Sequence, residues 1–440
     1  MKYLPIAVIF LTLLLNTACV PVEQPAVEEK PTQDNGKSTD AAFAQSNLAR
    51  ETEPQIDPDK LNSLVNGNTE FAFSFYDQIR QDEGNIIFSP ISLSLALSMT
   101  LTGAETSTEQ GMLQALRFSL PEEDVHTAFN ALLLAIEASQ ELTPRDSEGN
   151  NFQLNIANSI WGQAGYDINE TFLNTIAQNY GAGIYSIDYA SNPEFARNAI
   201  NDWVEEETED KIKDLIPEDA INTLTRLVLA NAIYFNGSWL HPFYEMDTTQ
   251  EPFTLLDESE KLVEMMKLSG QNLAYNQGED YQAVDLLYLS SDFAMTILLP
   301  DTATFSDFES DLDTQKLSLI FDEMQSEPVN LHMPRFDFIT ATDAKEPLVT
   351  MGMAEAFDSV LADFSGINEA DDLYITDVLH KASITVDETG TEAAAATAVI
   401  VGLKAMPSEP ISMIIDRPFL FLIRHIPTGS ILFMGRVTQP

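Results

Sequence analysis

The sequence predicts an α+β fold. Segments of helical period and runs of β-branched and aromatic residues alternate along the chain without a regular βαβ rhythm, and no internal repeat is visible. The third observation is compositional: 440 residues with 44% hydrophobic side chains can bury a sizeable core. A length prior alone would allow two or three domains. No break in composition appears after residue 65, so one large domain is expected.

The N-terminus is read first. Lys2 precedes an apolar run from Leu4 to Leu15 that is short for a bilayer span and has the character of a signal-peptide core, giving a signal over residues 1–18. Export to the cell surface, the periplasm or the outside is the expectation. Cys19, the only cysteine, follows Asn16-Thr17-Ala18 and resembles the lipid-attachment cysteine of bacterial lipoproteins, with Asn16 where that motif usually has Leu. The alternative is ordinary cleavage with Cys19 as a bystander; in either case no disulfide forms within the chain. Residues 19–63 begin with a stretch rich in Pro, Glu, Gln, Asp, Asn and Ser from Val20 to about Pro58, and are expected to be a disordered tether.

Within 64–440, Ser89 to Met99 starts a helix with Pro90 in its first turn and apolar residues on a helical period. Asn198 to Ile216 reads as an acidic amphipathic helix stopped by Pro217. Strands are expected at Leu227–Phe235, Ala283–Leu289, Ala294–Leu299, Val329–Met333 and Ala382–Val386. A last hairpin runs from Phe419–His425 through Thr428-Gly429 into Ile431–Val437. Gly181-Ala182-Gly183 reads as a turn. Val386 to Val401, VDETGTEAAAATAVIV, has two readings. Its four alanines favour a helix, yet the alternate set Thr391, Ala393, Ala395 and Thr397 is small enough to slide between strands while Glu392 faces water.

Charge and motifs exclude other classes. The net charge of −47, from 22 basic and 69 acidic residues, argues against nucleic-acid binding, which needs basic patches. The five histidines (His126, His241, His332, His380, His425) share no metal-ligand spacing, and neither a G-x-S-x-G elbow nor a Walker loop is present. The chain is not expected to be an enzyme.

Five stretches together resemble the serpins, the serine-protease inhibitor family: NIIFSPISLSLALSM with Ser89, Pro90 and Ser92; LANAIYFNGSW with Asn231 and Trp239; LHMPRFDF with Pro334 and Arg335; the Gly390 hinge; and DRPFLFLIRHIPTGSILFMGR with Pro418, Phe419 and Gly435. The resemblance implies a single serpin-like domain of about three β-sheets and eight to nine helices, with an exposed reactive-centre loop. It implies a shutter of buried polar residues (Ser89, Ser92, Asn231, His380) and a breach (Trp239, Arg335, Glu388) at the top of the main sheet. It implies a hinge of Glu388, Gly390, Thr391, Glu392, Ala393, Ala394, Ala395 and Ala396, in which Gly390 supplies backbone freedom and Thr391 inserts first.

The family's usual spacing of sixteen positions from the hinge glutamate Glu388 gives the reactive bond Lys404-Ala405. The implied function is suicide-substrate trapping of a serine protease, trypsin-like because of Lys404, in a covalent acyl complex. No cofactor or metal is implied, the protein is expected to be a monomer, and membrane contact would come only through a lipid on Cys19. The runner-up is a non-inhibitory serpin acting as a binding protein or chaperone. Thr391 to Ala398 argues against it, since the only charged or bulky residue there is the solvent-facing Glu392.

Overall fold

The computed structural model describes residues 41–81, 84–145, 152–369, 373–391 and 409–440. The signal segment, Cys19, residues 19–40, Glu392 to Ala396, Lys404 and Ala405 lie outside the described residues. In chain order the first half carries β1 (Ala42–Ala44), α1 (Pro58–Ile79), β2 (Ile86–Phe88), α2 (Pro90–Leu101), α3 (Thr106–Ala115), α4 (Glu122–Leu142), β3 (Gln153–Gln163), α5 (Glu170–Tyr180), β4 (Ile184–Ile187), α6 (Pro193–Glu207) and β5 (Leu227–Ser238). The second half carries β6 (Thr249–Thr254), β7 (Glu260–Gln277), β8 (Tyr281–Leu287), β9 (Phe293–Pro300), α7 (Phe305–Asp311), α8 (Thr314–Asp322), β10 (Gln325–Pro334), β11 (Phe336–Asp343), α9 (Lys345–Leu348), β12 (Ile375–Val386), β13 (Gly390–Thr391), β14 (Ile411–Ile414), β15 (Phe419–His425) and β16 (Ser430–Val437).

The helices begin where the sequence supplies caps. Asp57, Ser89 and Asn192 each accept a backbone N–H in the first turn of α1, α2 and α6, and a proline follows each at the first helical position. The α5 helix ends at Gly181 in the left-handed conformation (φ 65°), so the Gly181-Ala182-Gly183 turn is a helix terminus. The expected helix Asn198–Ile216 is displaced: it runs from Pro193 to Glu207. Glu209 and Asp210 take positive φ (51° and 62°) and break it. Ile212, Leu215 and Ile216, which completed the apolar stripe in sequence, are buried from a loop instead.

Two hydrogen-bonded sheets form the frame. The main sheet has seven strands in the order β1-β4-β3-β5-β13-β12-β11, and the second has β14-β10-β7-β8-β9-β15-β16-β2 with β6 on β7. About three sheets were expected; the 18-residue β7 joins what would be two of them into one continuous ladder. Among the described residues there are nine α-helices. The α2 helix is buried at every residue and packs on β3, β5 and β16, so it is the layer between the sheets. Along β5 the strand alternation splits the core. Leu227, Leu229, Ile233 and Phe235 face the α2 side, while Val228, Ala230 and Ala232 join Ile200 and Val204 of α6 on the other. A strand buried on both faces reads as an unbroken apolar run, which is why β5 was legible.

The expectation of a disordered tether over 19–63 does not hold for residues 41–63. Residues 42–44 add β1 antiparallel to the edge strand β4, and α1 begins at Pro58. Between them Arg50 donates to Asn130 Oδ1 (2.8 Å) and pairs with Glu137 (2.7 Å) on α4, and the Glu51 amide donates to Gln178 O of α5 (2.9 Å). An apolar-poor composition concealed these polar anchors.

Candidate functional site: the seam and hinge of the main sheet

In the main sheet, β5 and β12 run parallel. They pair from Leu227 opposite Ile375 to Ile233 opposite Ala382, and then part. Into the opening above comes β13, antiparallel to both, with Thr391 opposite Gly237 of β5 and Val386 of β12. The hinge is therefore already the first piece of a strand between two others. Gly390 does not take a positive φ, so backbone freedom is not what requires glycine there. A Cβ at Gly390 would lie 2.2 Å from Gly237 O and 2.8 Å from Ser238 Cα, and close approach is the reason. Thr391 is buried and its hydroxyl meets that of Tyr288 at 2.9 Å. The Tyr288 ring stacks on Trp239 (centroids 4.7 Å).

The turn that carries the hinge, Asp387 to Gly390, is densely hydrogen-bonded. Asp387 N donates to Gly390 O (3.0 Å), Phe243 N to Glu388 O (2.8 Å) and Trp239 N to Thr389 O (2.8 Å). The Trp239 indole N–H donates to Asp387 O (3.0 Å). The carboxylate of Asp387 accepts from Thr389 N (2.8 Å), Thr389 Oγ1 (2.7 Å) and Gly390 N (3.1 Å). Glu388 is 2% exposed and pairs with Arg335 at 2.5 Å. Thr248 also donates to its carboxylate. Burial pushes the Glu388 carboxyl up, but the hydrogen bonds from Arg335 and Thr248 outweigh it, so it titrates below the ordinary carboxylate range.

Lower on the seam, His380 and Asn231 are cross-strand partners. The Ser89 amide can only donate, and it donates to His380 Nε2 (3.0 Å). Burial pushes His380 down to about 3, so the ring is neutral, its proton sits on Nδ1, and it donates to Asn231 Oδ1. Asn231 Nδ2 donates to Ser92 Oγ (2.7 Å) and to Asn158 Oδ1. Ser89 Oγ caps α2 through Ser92 N (3.2 Å) and donates to Leu432 O (2.6 Å). One polar network thus ties α2 to β3, β5 and β12 through the seam.

Ser89, Ser92, Asn231 and His380 converge as one group, and Trp239, Arg335 and Glu388 as another. Asn158, Tyr288, Thr248 and Asp387 were not picked out from sequence. For Asn158 the signal was an amide inside a strand, which needs buried partners. For Asp387 it was Asp-x-Thr-Gly, the pattern of a side-chain-closed turn. Among the described residues no three His, Cys, Asp or Glu side chains converge as a metal ion would need.

The serpin family model, described as serine protease inhibitor, matches residues 66–440. An uncharacterized serpin-like protein of Thermococcus kodakarensis is 36% identical over 381 residues, covering 86% of each chain. Leukocyte elastase inhibitor of Sus scrofa is 37% identical, covering 86% of this chain and all of the relative. A serpin-like protein of Methanosarcina acetivorans is 33% identical over 98% of this chain and 97% of its own. Among solved structures, the thermophilic serpin tengpin in its native state superposes with a TM-score of 0.79 at 26% identity, covering 91% of this chain and all of that one. Uncleaved ovalbumin gives 0.75 at 27% identity, covering 86% and 100%. With a family match over most of its length and relatives above 30% identity, this chain belongs to the serpin family.

Proposed function

We propose that this protein inhibits serine endopeptidases by suicide-substrate trapping. The observation that carries the reading is β13: an antiparallel strand has begun between two parallel ones that part around it. Each further residue entering there would hydrogen-bond to a neighbour on either side. The relatives named as elastase inhibitors support the same class of activity.

The chemistry belongs to the target. The protease serine Oγ attacks the Lys404 carbonyl, the bond to Ala405 breaks, the freed amine takes a proton from the protease histidine, and an ester joins the two proteins. Gly390 to Lys404 spans roughly 50 Å when extended. Insertion of that length carries the attached protease along the sheet before water can attack the ester, and pulls its oxyanion site out of shape. Lys404 suits the acid-bottomed pocket of a trypsin-like enzyme.

Incubation with trypsin, chymotrypsin, elastase and subtilisin tests this. An SDS-resistant complex with trypsin, releasing a C-terminal fragment that begins at Ala405, is expected. Complete turnover as a plain substrate by all four would establish the binding-protein alternative instead. We also propose that the chain is exported and anchored through a lipid on Cys19. Cys19→Ser should then move the protein from the membrane to the soluble fraction; unchanged fractionation and mass would refute the anchor.

A further inference from the structure

Asp387 uses both of its acceptors, and in different directions. Its main-chain carbonyl is taken by the Trp239 indole (3.0 Å). In a two-residue hairpin that carbonyl would otherwise receive the N–H of the residue three further on, here Gly390. The carboxylate substitutes for it, accepting Gly390 N (3.1 Å) together with the amide and hydroxyl of Thr389 (2.8 and 2.7 Å). The turn can therefore close and dock on Trp239 at once. Past the turn, Gly390 lies against Ser238 and Thr391 against Gly237.

We propose that Asp387 is a positioning residue for loop insertion: its carboxylate folds the hinge so that Gly390 and Thr391 are held between β5 and β12 before any protease arrives. The inference rests on the insertion reading of the function. Insertion competes with hydrolysis of the acyl bond, so a pre-formed first step favours trapping over release. An unformed turn would leave the first two residues to be seated after cleavage, and more inhibitor would be lost as cleaved substrate.

The acceptor geometry sets the test. Asp387→Ala removes the acceptor; Asp387→Asn keeps an oxygen at the same place and loses the charge. With trypsin as probe, Asp387→Ala should raise the number of inhibitor molecules consumed per protease trapped by about fivefold, the effect of one net hydrogen bond. Asp387→Asn should stay within about twofold of the parent, since a neutral acceptor keeps most of that bond. An equal partition in the parent and Asp387→Ala overturns the proposal, as does an Asn variant as impaired as Ala. A second readout is independent of trapping: amide hydrogen exchange across Val386 to Thr391 should quicken about fivefold in Asp387→Ala and not in Asp387→Asn. If the parent traps no protease, the functional reading fails while exchange alone still decides the role of Asp387; unchanged exchange refutes it.

Discussion

His380 and Asn231 stand opposite each other across the seam of β5 and β12, and the imidazole Nδ1–H donates to the amide oxygen. The bond lies on the line along which the sheet would part in the proposed insertion, and its geometry requires a neutral ring. Protonation would put an N–H against the Ser89 amide N–H.

Acid should therefore weaken the native state through this residue. The folded pKa of about 3 lies below the ordinary imidazole value of 6.5, so between those values the unfolded chain binds the extra proton. The stability is fully present above pH 6.5 and falls with acidification by about 1.4 kcal/mol per pH unit towards pH 3. Among the described residues no charged side chain bonds the ring: its partners are Ser89 and Asn231, and Thr342 lies opposite it on β11. Buried His425, pushed down to about 4, adds a second slope. Urea titrations from pH 7 to 4 should show the proton uptake of the parent reduced by about one in His380→Gln; an unaltered slope contradicts the assignment.

The Glu388–Arg335 pair should matter more than a surface bridge. Arg335→Ala leaves a carboxylate that is 2% exposed without its cation. The expected loss is about 2 kcal/mol, below the fully buried range because the Arg335 side chain is 40% exposed. The pair's contribution is present above the ordinary carboxylate pKa and is lost as pH drops through the depressed value, so the parent and variant melting curves should draw progressively together as pH falls below the ordinary carboxylate range.

Thr391→Arg forces a cation into the buried position beside Tyr288. The variant should be cleaved by trypsin without forming a complex. Cleavage of the parent loop should raise its melting temperature, through a new central strand, and leave that of Thr391→Arg unchanged. Retained inhibition in the variant is the contrary outcome.

The register of β13 fixes where later residues would arrive. Thr391 faces Gly237 and Val386. Six residues further along an antiparallel strand, Thr397 comes opposite Asn231 and His380. Its hydroxyl would replace part of the bond that opening breaks. Thr397→Val should lower the stability gained on cleavage by about 1 kcal/mol without altering the uncleaved protein. Equal gains in both would point to a different register.

Much of this was legible locally. The β5, β9, β15 and β16 strands announced themselves by β-branched and aromatic runs, and α2 by Ser89-Pro90. The β7 strand did not, because its side chains alternate irregularly between water and core. The β12 strand starts at Ile375 and not at the expected Ala382, since Asp377, His380 and Lys381 mask its strand character. The seven residues that the resemblance assigned to a shutter and a breach form two contact groups, one around Asn231 and one around the Asp387–Gly390 turn. Tyr288 and Asn158 were hidden because their roles depend on which strands become neighbours, and that is a non-local property.

The arm that adds β1 to the flank of the sheet also bonds α4 and α5 through Arg50 and Glu51. Strands β1, β4 and β3 are thereby fastened to those helices as a single panel, with the outermost backbone of β4 already paired. The β5 strand continues this panel on β3 and is the strand that pairs with β12. In the proposed insertion β5 separates from β12, so the work of opening the sheet is set by the few bonds along that line and not by the many within the panel.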